Sequence, residues 1–219
     1  MNDTVFLSAG IGLWYTSGVE RLHGSLIHHG WPYDIKTWRD EWPDHNFDRG
    51  CIYNIKASAF HWAIAQGYKT IIWGDASIYA QAKIDPFVER IKSDGYWIGM
   101  SGYNAAQTCS DKCLGYFGVD RDWAEKVPDA ATGLFGADLG NPVAHKFIET
   151  WVRAGRDGAF TGSRFHAGQS KDPRFFFGRQ DQSCATVIAG KLGMRLNNFS
   201  EYVAFRWDAY PSIFRCEGM

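Results

Sequence analysis

Three side chains in this sequence stand where chemistry can be done: Asp75, Asp181 and Lys56. Asp75 closes the run Tyr68-Lys69-Thr70-Ile71-Ile72-Trp73-Gly74-Asp75-Ala76-Ser77, in which strand-forming residues end abruptly in a small polar turn. In an open α/β sheet, ligands bind beyond the carboxyl ends of the strands, so an acid there faces whatever the crevice holds. Asp181 lies between two amides in Arg179-Gln180-Asp181-Gln182-Ser183, ahead of a helical apolar pattern. Lys56 is on the expected helix from Asn54 to Gly67 that feeds the acid-bearing strand. A carboxylate can orient a hydroxyl, take its proton or ligate a metal, and a fixed cation can neutralise charge developing on a phosphate leaving group. Each residue alone also has a plainer use: a turn carboxylate for Asp75, a helix cap for Asp181, a solvated helix lysine for Lys56.

Positioning such groups requires alternating strands and helices, and the patterning predicts them. Val5 to Gly10 is a short apolar run suited to a first buried strand whose small end admits a ligand. Gly18 to His29 has helical spacing and stops at Gly30, and Tyr33 to Trp38 reads as a second strand. Arg39 to Arg49 reads as a loop. After the Asp75 turn, Ile84, Phe87, Val88 and Ile91 mark one face of a helix stopped by Gly95. Tyr96 to Gly99 is the next strand, and Ser101 to Asp122 reads as a long loop. Thr132 to Asn141 is a strand crowded with glycine, and Pro142 opens a helix striped by Val143, Phe147, Ile148, Trp151 and Val152. Arg156 to Gly178 reads as a basic, aromatic loop. A helix then carries Cys184, Val187, Ile188 and Leu192 inward, and Tyr202 to Trp207 is a closing strand. This alternation argues a mainly parallel α/β sheet in one domain spanning 1–219.

Composition narrows the partners. The chain has 219 residues, a net charge of −1 and 16% aromatics including ten Trp. Its pI of about 6.6 supplies no global basic field for nucleic acid or anionic membrane, although a local groove stays open. Flat aromatic faces with polar handles line sugar and base sites as well as cores. No apolar run approaches a membrane span. Five scattered cysteines fit a reducing cytosol better than a disulfide framework, so a cytoplasmic protein is expected. Cys109 and Cys113 raise zinc, but no second pair at finger spacing accompanies them.

The ordered landmarks resemble nucleotide-sugar glycosyltransferases of the GT-A fold. They are Leu7-Ser8-Ala9-Gly10 ending the first strand, Lys56 on the helix before the acid, and Ile71 to Ser77 where that family carries Asp-x-Asp. The glycine-rich Gly136-Ala137-Asp138-Leu139-Gly140 and the Asp-Gln helix start at Asp181 follow. The resemblance implies a Rossmann-like GT-A domain with a mainly parallel sheet flanked by helices. It also implies that Ser8, Ala9 and Gly10 let a nucleoside lie against the backbone, and that Lys56, Asp75, Ser77, Arg179 and Gln182 bind the donor. Asp181 or Asp138 would be the base if the anomeric centre inverts; Asp181 would orient the sugar if it is retained. A divalent Mn or Mg ion is implied at Asp75, completed by a late histidine, His166. Ser77 replaces the family's last acid, and a hydroxyl is a poorer ligand for Mg²⁺ or Mn²⁺ than a carboxylate. Two routes to neutralising the diphosphate therefore stand: an ion on Asp75, or the cations Lys56, Arg174 and Arg179.

The expected function is transfer of a sugar from a nucleotide-diphosphate donor to an acceptor hydroxyl. The acceptor site falls to 101–122 and 156–178, where Tyr103, Tyr116, Phe117, Arg164, Phe165, His166, Lys171, Arg174 and Phe175 mix cations with rings. That mixture fits a glycan, or a hydroxylated base in DNA. The other classes are a non-catalytic carbohydrate- or nucleotide-binding protein with a decayed site, in which Asp75→Asn changes nothing, and a sugar nucleotidyltransferase. The latter wants a regular glycine-rich phosphate loop, which Gly10, Gly12 and Gly18 do not form.

Overall fold

The computed structural model describes residues 2–160 and 170–217. A six-stranded sheet is built from β1 (Thr4–Gly10), β2 (Asp34–Arg39), β3 (Thr70–Gly74), β5 (Tyr96–Asn104), β6 (Pro128–Asp138) and β7 (Asn197–Asn198), in the order β2-β1-β3-β6-β5-β7. β1 runs parallel to β2 and β3, β5 runs parallel to β7, and β6 is antiparallel to both neighbours. Five strands therefore share one direction and β6 alone is reversed, a mainly parallel sheet as expected. A small second sheet joins β4 (Ile78–Ala80), β9 (Phe214–Cys216) and β8 (Val203–Phe205).

Strand alternation divides the core between the two faces. Val5, Leu7, Ala9, Ile71 and Trp73 face α2 (Asn54–Ala65), α7 (Pro142–Arg156) and α8 (Gln180–Lys191). Phe6 and Ile72 face α1 (Leu13–His28), α3 (Asp85–Asp94) and the small sheet. In the first core Phe60 stacks on Phe135 at 4.9 Å and meets Trp151 edge-on at 5.5 Å. Such pairs add about 0.5–1.5 kcal/mol each beyond area burial. Phe60 is one turn beyond Lys56 on α2, so the packing that anchors its ring also turns Lys56 towards the sheet. α7 begins as expected, with Pro142 in the first turn and Asn141 accepting from the N–H groups of Val143 and Ala144.

The segment expected to be a loop from Ser101 to Asp122 is ordered. β5 continues to Asn104, and α4 (Ala105–Thr108), α5 (Asp111–Phe117) and α6 (Arg121–Glu125) follow. Its polar residues are caps: Asn104 and Gln107 form a capping box, Ser110 accepts from Cys113 N–H, and Asp120 accepts from Trp123 N–H. α1 starts five residues before the expected Gly18, because Leu13 and Trp14 are 80% and 79% exposed and carry no inward signal. The closing strand shortens to Val203–Phe205. Cys113 Sγ lies 3.8 Å from Cys184 Sγ, Cys109 is buried nearby, and no described group of three or more His, Cys, Asp or Glu could hold a metal. No described helix is long and apolar enough to cross a membrane.

Candidate active site

The carboxyl ends of β1 and β3 open onto two joined cavities. The smaller, 270 Å³, is lined by Ala9, Gly10 and Tyr15 from the β1–α1 junction, by Ile52 and Tyr53 ahead of α2, and by the Asp75–Ala76–Ser77 turn. The larger, 580 Å³, is walled by Tyr103, Thr132, Phe177 and the first turn of α8, from Arg179 to Gln182. Tyr53, Lys56 and Asp75 line both.

Lys56 is the hub. Its Nζ lies 3.0 Å from Asp75 Oδ1 and 3.0 Å from Asp181 Oδ2, and it donates to the Thr132 carbonyl at 3.3 Å. The residue is only 8% exposed, so it is not a solvated helix lysine. Burial presses its pKa down, but the Asp181 and Asp75 charges more than reverse this and hold it well above the usual lysine value. Asp181, 3% exposed, also accepts from Thr132 Oγ1 at 2.9 Å. Burial raises its carboxyl, with the Asp75 charge acting in the same sense and Lys56 opposing. One ammonium thus serves two acids. Asp181 does not cap α8: Arg179 is the N-cap, without a side-chain cap bond.

Each acid is held by its surroundings. Trp73 Nε1 donates to Asp75 Oδ1 at 2.7 Å, and Asp75 N–H donates to Gly133 O at 2.7 Å. Trp151 Nε1 donates to the Asp181 carbonyl at 2.9 Å, fixing the α8 first turn on α7. Gln180, 4% exposed, has φ +45, a left-handed conformation that costs a non-glycine residue about 1–3 kcal/mol and is tolerated where a site demands it. Behind the floor, buried Asp129 accepts from Ser101, Thr108, Thr186 and Gln182, the last at 2.8 Å. Burial raises the Asp129 carboxyl despite these donors. The Gln182 amide is fixed by that bond, with its oxygen 3.5 Å from Arg179 Nη1.

Of the expected site residues, Ala9, Gly10, Lys56, Asp75, Ser77, Arg179, Asp181 and Gln182 line the cavities. Ser8 does not: strand alternation turns it away from Ala9, and its hydroxyl is buried without a hydrogen-bond partner. Asp138 is a correction. Because β6 is antiparallel, Asp138 pairs with Thr70 at the start of β3, while Leu134 pairs with Gly74 at the cleft end. Four residues of strand, roughly 13 Å, separate these registers, and the Asp138 carboxylate accepts from Gly140 N–H instead. Arg174 is also outside the cleft, paired with Asp122, Glu125 and Asp172. His166, Arg164 and Phe165 fall in 161–169, outside the described residues.

The metal expected at Asp75 meets a poor donor set. Asp75 Oδ1 is taken by Lys56 and Trp73, and the Ser77 hydroxyl accepts from Cys216 Sγ at 3.7 Å. Among the described residues these two side chains supply one carboxylate and one hydroxyl, fewer ligands than a divalent ion takes, and the expected His166 lies outside them. Tyr53, Thr132 and Phe177 escaped sequence reasoning. Tyr53 and Phe177 precede helices without any periodic signal, and Thr132 looks like an ordinary buried strand residue.

The turn bearing Asp75 depends on a close approach by α1. A Cβ on Gly18 would stand 2.2 Å from the Ala76 carbonyl oxygen. Gly18→Ala is expected to cost about 1–3 kcal/mol, which lowers the melting temperature by about 2–12 °C, and to weaken ligand binding in the smaller cavity. An unshifted thermal melt would refute this packing.

Fold and cleft together define a protein with the GT-A-like glycosyltransferase fold. Among solved structures, the chain is similar to a glycosyltransferase involved in the glycosylation of the major capsid of PBCV-1, with a TM-score of 0.54 and 11% identity over 98% of this chain and 92% of that one. It is also similar to mouse xyloside xylosyltransferase 1 in its apo form, with a TM-score of 0.52 and 11% identity over 96% of each chain. No family profile and no curated protein sequence matches it.

Proposed function

We infer that this protein is a glycosyltransferase that moves a sugar from a nucleotide-diphosphate donor to an acceptor hydroxyl. The observation that carries the reading is the Lys56 ammonium set 3.0 Å from both Asp75 and Asp181 where two cavities meet. In this reading the nucleoside occupies the smaller cavity against Ala9 and Gly10, where the lack of bulk lets the ligand approach the backbone. The diphosphate crosses the junction beside Lys56, and the transferred sugar enters the larger cavity over Asp181. Cleavage of the sugar–phosphate bond leaves its electron pair on the diphosphate oxygen, the acceptor oxygen bonds the anomeric carbon, and the acceptor's proton passes to the departing diphosphate oxygen. Arg179, on the larger cavity's wall, is the cation placed to stabilise that charge as it develops. Asp181 accepts a hydrogen bond from a sugar hydroxyl and orients the ring, and Lys56 keeps that buried carboxylate ionised. In this reading Arg179 does the neutralising, because Lys56 is held by the two acids and Asp75 Oδ1 is shared by Lys56 and Trp73.

A thermal-shift panel of UDP-, GDP-, CMP- and TDP-sugars, run with EDTA and with Mn²⁺, tests this. A donor at a hundred times its Kd adds about 2.7 kcal/mol to the folded state, so one nucleotide class is expected to raise the melting temperature by about 5–10 °C. The shift should be the same with EDTA and with Mn²⁺. Silence across all nucleotides would leave a non-catalytic protein; a shift seen only with Mn²⁺ would restore the metal at Asp75.

A further inference from the structure

We propose that Tyr103 and Phe177 form the acceptor subsite, and that the acceptor is a neutral carbohydrate rather than a nucleic acid. The proposal rests on the transfer reading above and names the substrate class of the same site. The two rings meet edge to face, with centroids 5.2 Å apart and planes at 85°, and both line the cavity whose floor is Asp181. The Arg179 guanidinium lies over them, 4.8 Å from the Phe177 centroid and 5.6 Å from that of Tyr103. Tyr103 is 38% exposed. An aromatic corner with a phenol on its rim matches a sugar ring, which offers C–H groups on its faces and hydroxyls at its edge. The cavity's 580 Å³ lies in the range, about 300–1,000 Å³, of sites that enclose ligands, so a transferred sugar and one acceptor ring fit together.

The corner is preformed. Tyr103 follows Gly102, whose φ of +87 makes the turn that lifts the ring from the end of β5. The Ser101 hydroxyl accepts from Tyr103 N–H and donates to Asp129, the same carboxylate that fixes Gln182. Phe177 is pinned from the other side, since the N–H groups of Phe176 and Phe177 both donate to the Gln107 carbonyl on α4. Wall and floor thus share one buried anchor, and the acceptor meets a surface that needs no ordering on binding.

Among the described residues, charge disfavours a phosphate backbone here. The described charged groups lining the larger cavity are Lys56 and Arg179 against Asp75 and Asp181, a net of zero. Lys56 is committed to the two acids. A nucleic-acid track instead needs several cations free to replace counterions. Arg179 is the one cation of the described lining besides Lys56.

The test uses the full chain with the donor class identified by melting. Transfer is measured to a panel of fluorescent mono- and disaccharide glycosides and to a DNA duplex carrying 5-hydroxymethylcytosine. Turnover on a glycoside is expected, with KM changing less than about threefold between roughly 50 and 200 mM salt. Tyr103→Ala and Phe177→Ala should each raise the acceptor KM about tenfold while kcat changes less, and Tyr103→Phe should restore most of the loss. Nucleoside-diphosphate affinity, read by calorimetry on the same variants, reports whether the donor side has moved. Turnover on DNA, with affinity falling on the order of a thousandfold over that salt range, would overturn the carbohydrate assignment. An unchanged glycoside KM in both alanine variants would overturn the subsite. If the wild-type chain binds no nucleotide, the transferase reading itself is lost; if it binds nucleotide and uses DNA, only the acceptor assignment is.

Discussion

Lys56→Met is expected to lower the melting temperature by about 6–20 °C and to abolish transfer. Removing one partner of a buried ion pair costs about 3–5 kcal/mol, because the other charge stays buried and unpaired, and a domain of this size loses about 2–4 °C per kcal/mol. The cost arises at Asp181, whose side chain is 4% exposed, more than at Asp75, whose side chain at 34% can reach water. The double variant Lys56→Met with Asp181→Asn should therefore recover most of the lost stability and none of the activity. Differential scanning calorimetry with a donor-turnover assay separates the two effects. If the single variant melts with the wild type, the ammonium is not the electrostatic hub. The pH dependence has a definite sign. Lys56 has a raised pKa in the folded state, so its contribution is complete below the unfolded value of about 10.4 and is lost as pH rises through the folded one.

Asp181→Asn alone is expected to fold and to lose about 10²–10³ in kcat, the scale for removing one preorganised polar group from a reacting centre. Asparagine keeps an oxygen for Thr132 and Lys56, and Lys56 keeps Asp75, so the melting temperature should move by only a few degrees. The raised carboxyl gives this prediction its second readout. Because burial favours the neutral form of Asp181, wild-type kcat should fall on acidification with an apparent pKa above the ordinary aspartate value of about 3.9, and the Asn variant should lack that limb. A wild-type profile flat through the carboxylate range, or an Asn variant with full turnover, would remove Asp181 from the reaction.

Much of this was legible in the sequence, and the failures have physical causes. The β1 and β3 runs, the Asp75 turn, Pro142 at the start of α7 and Asp181 at the start of α8 each carry a local signal, and each is found where expected. The direction of β6 carries none. A strand reads the same in either orientation, so Asp138 was expected at the cleft and lies at the other end of the sheet. The polar residues of 101–122 read as loop in the sequence because capping side chains and loop side chains are the same residue types. Ser8 was retrievable: Val5, Leu7 and Ala9 share a face, and alternation sends Ser8 to the opposite one. The partnership of Lys56 with both acids was not, because it joins three elements through a fold that no short window encodes.

The reversed strand also orders events during synthesis. Lys56 and Asp75 leave the ribosome close together, whereas Asp181 comes 125 residues after Lys56 (181 − 56). At about 5–20 residues per second, that interval is roughly 6–25 s. β6, which supplies Thr132 and Gly133 and lies between β3 and β5, emerges in that interval. Most of the sheet's strands therefore emerge while the ammonium has a single counter-ion within reach, and α8 brings the second along with one wall of the larger cavity.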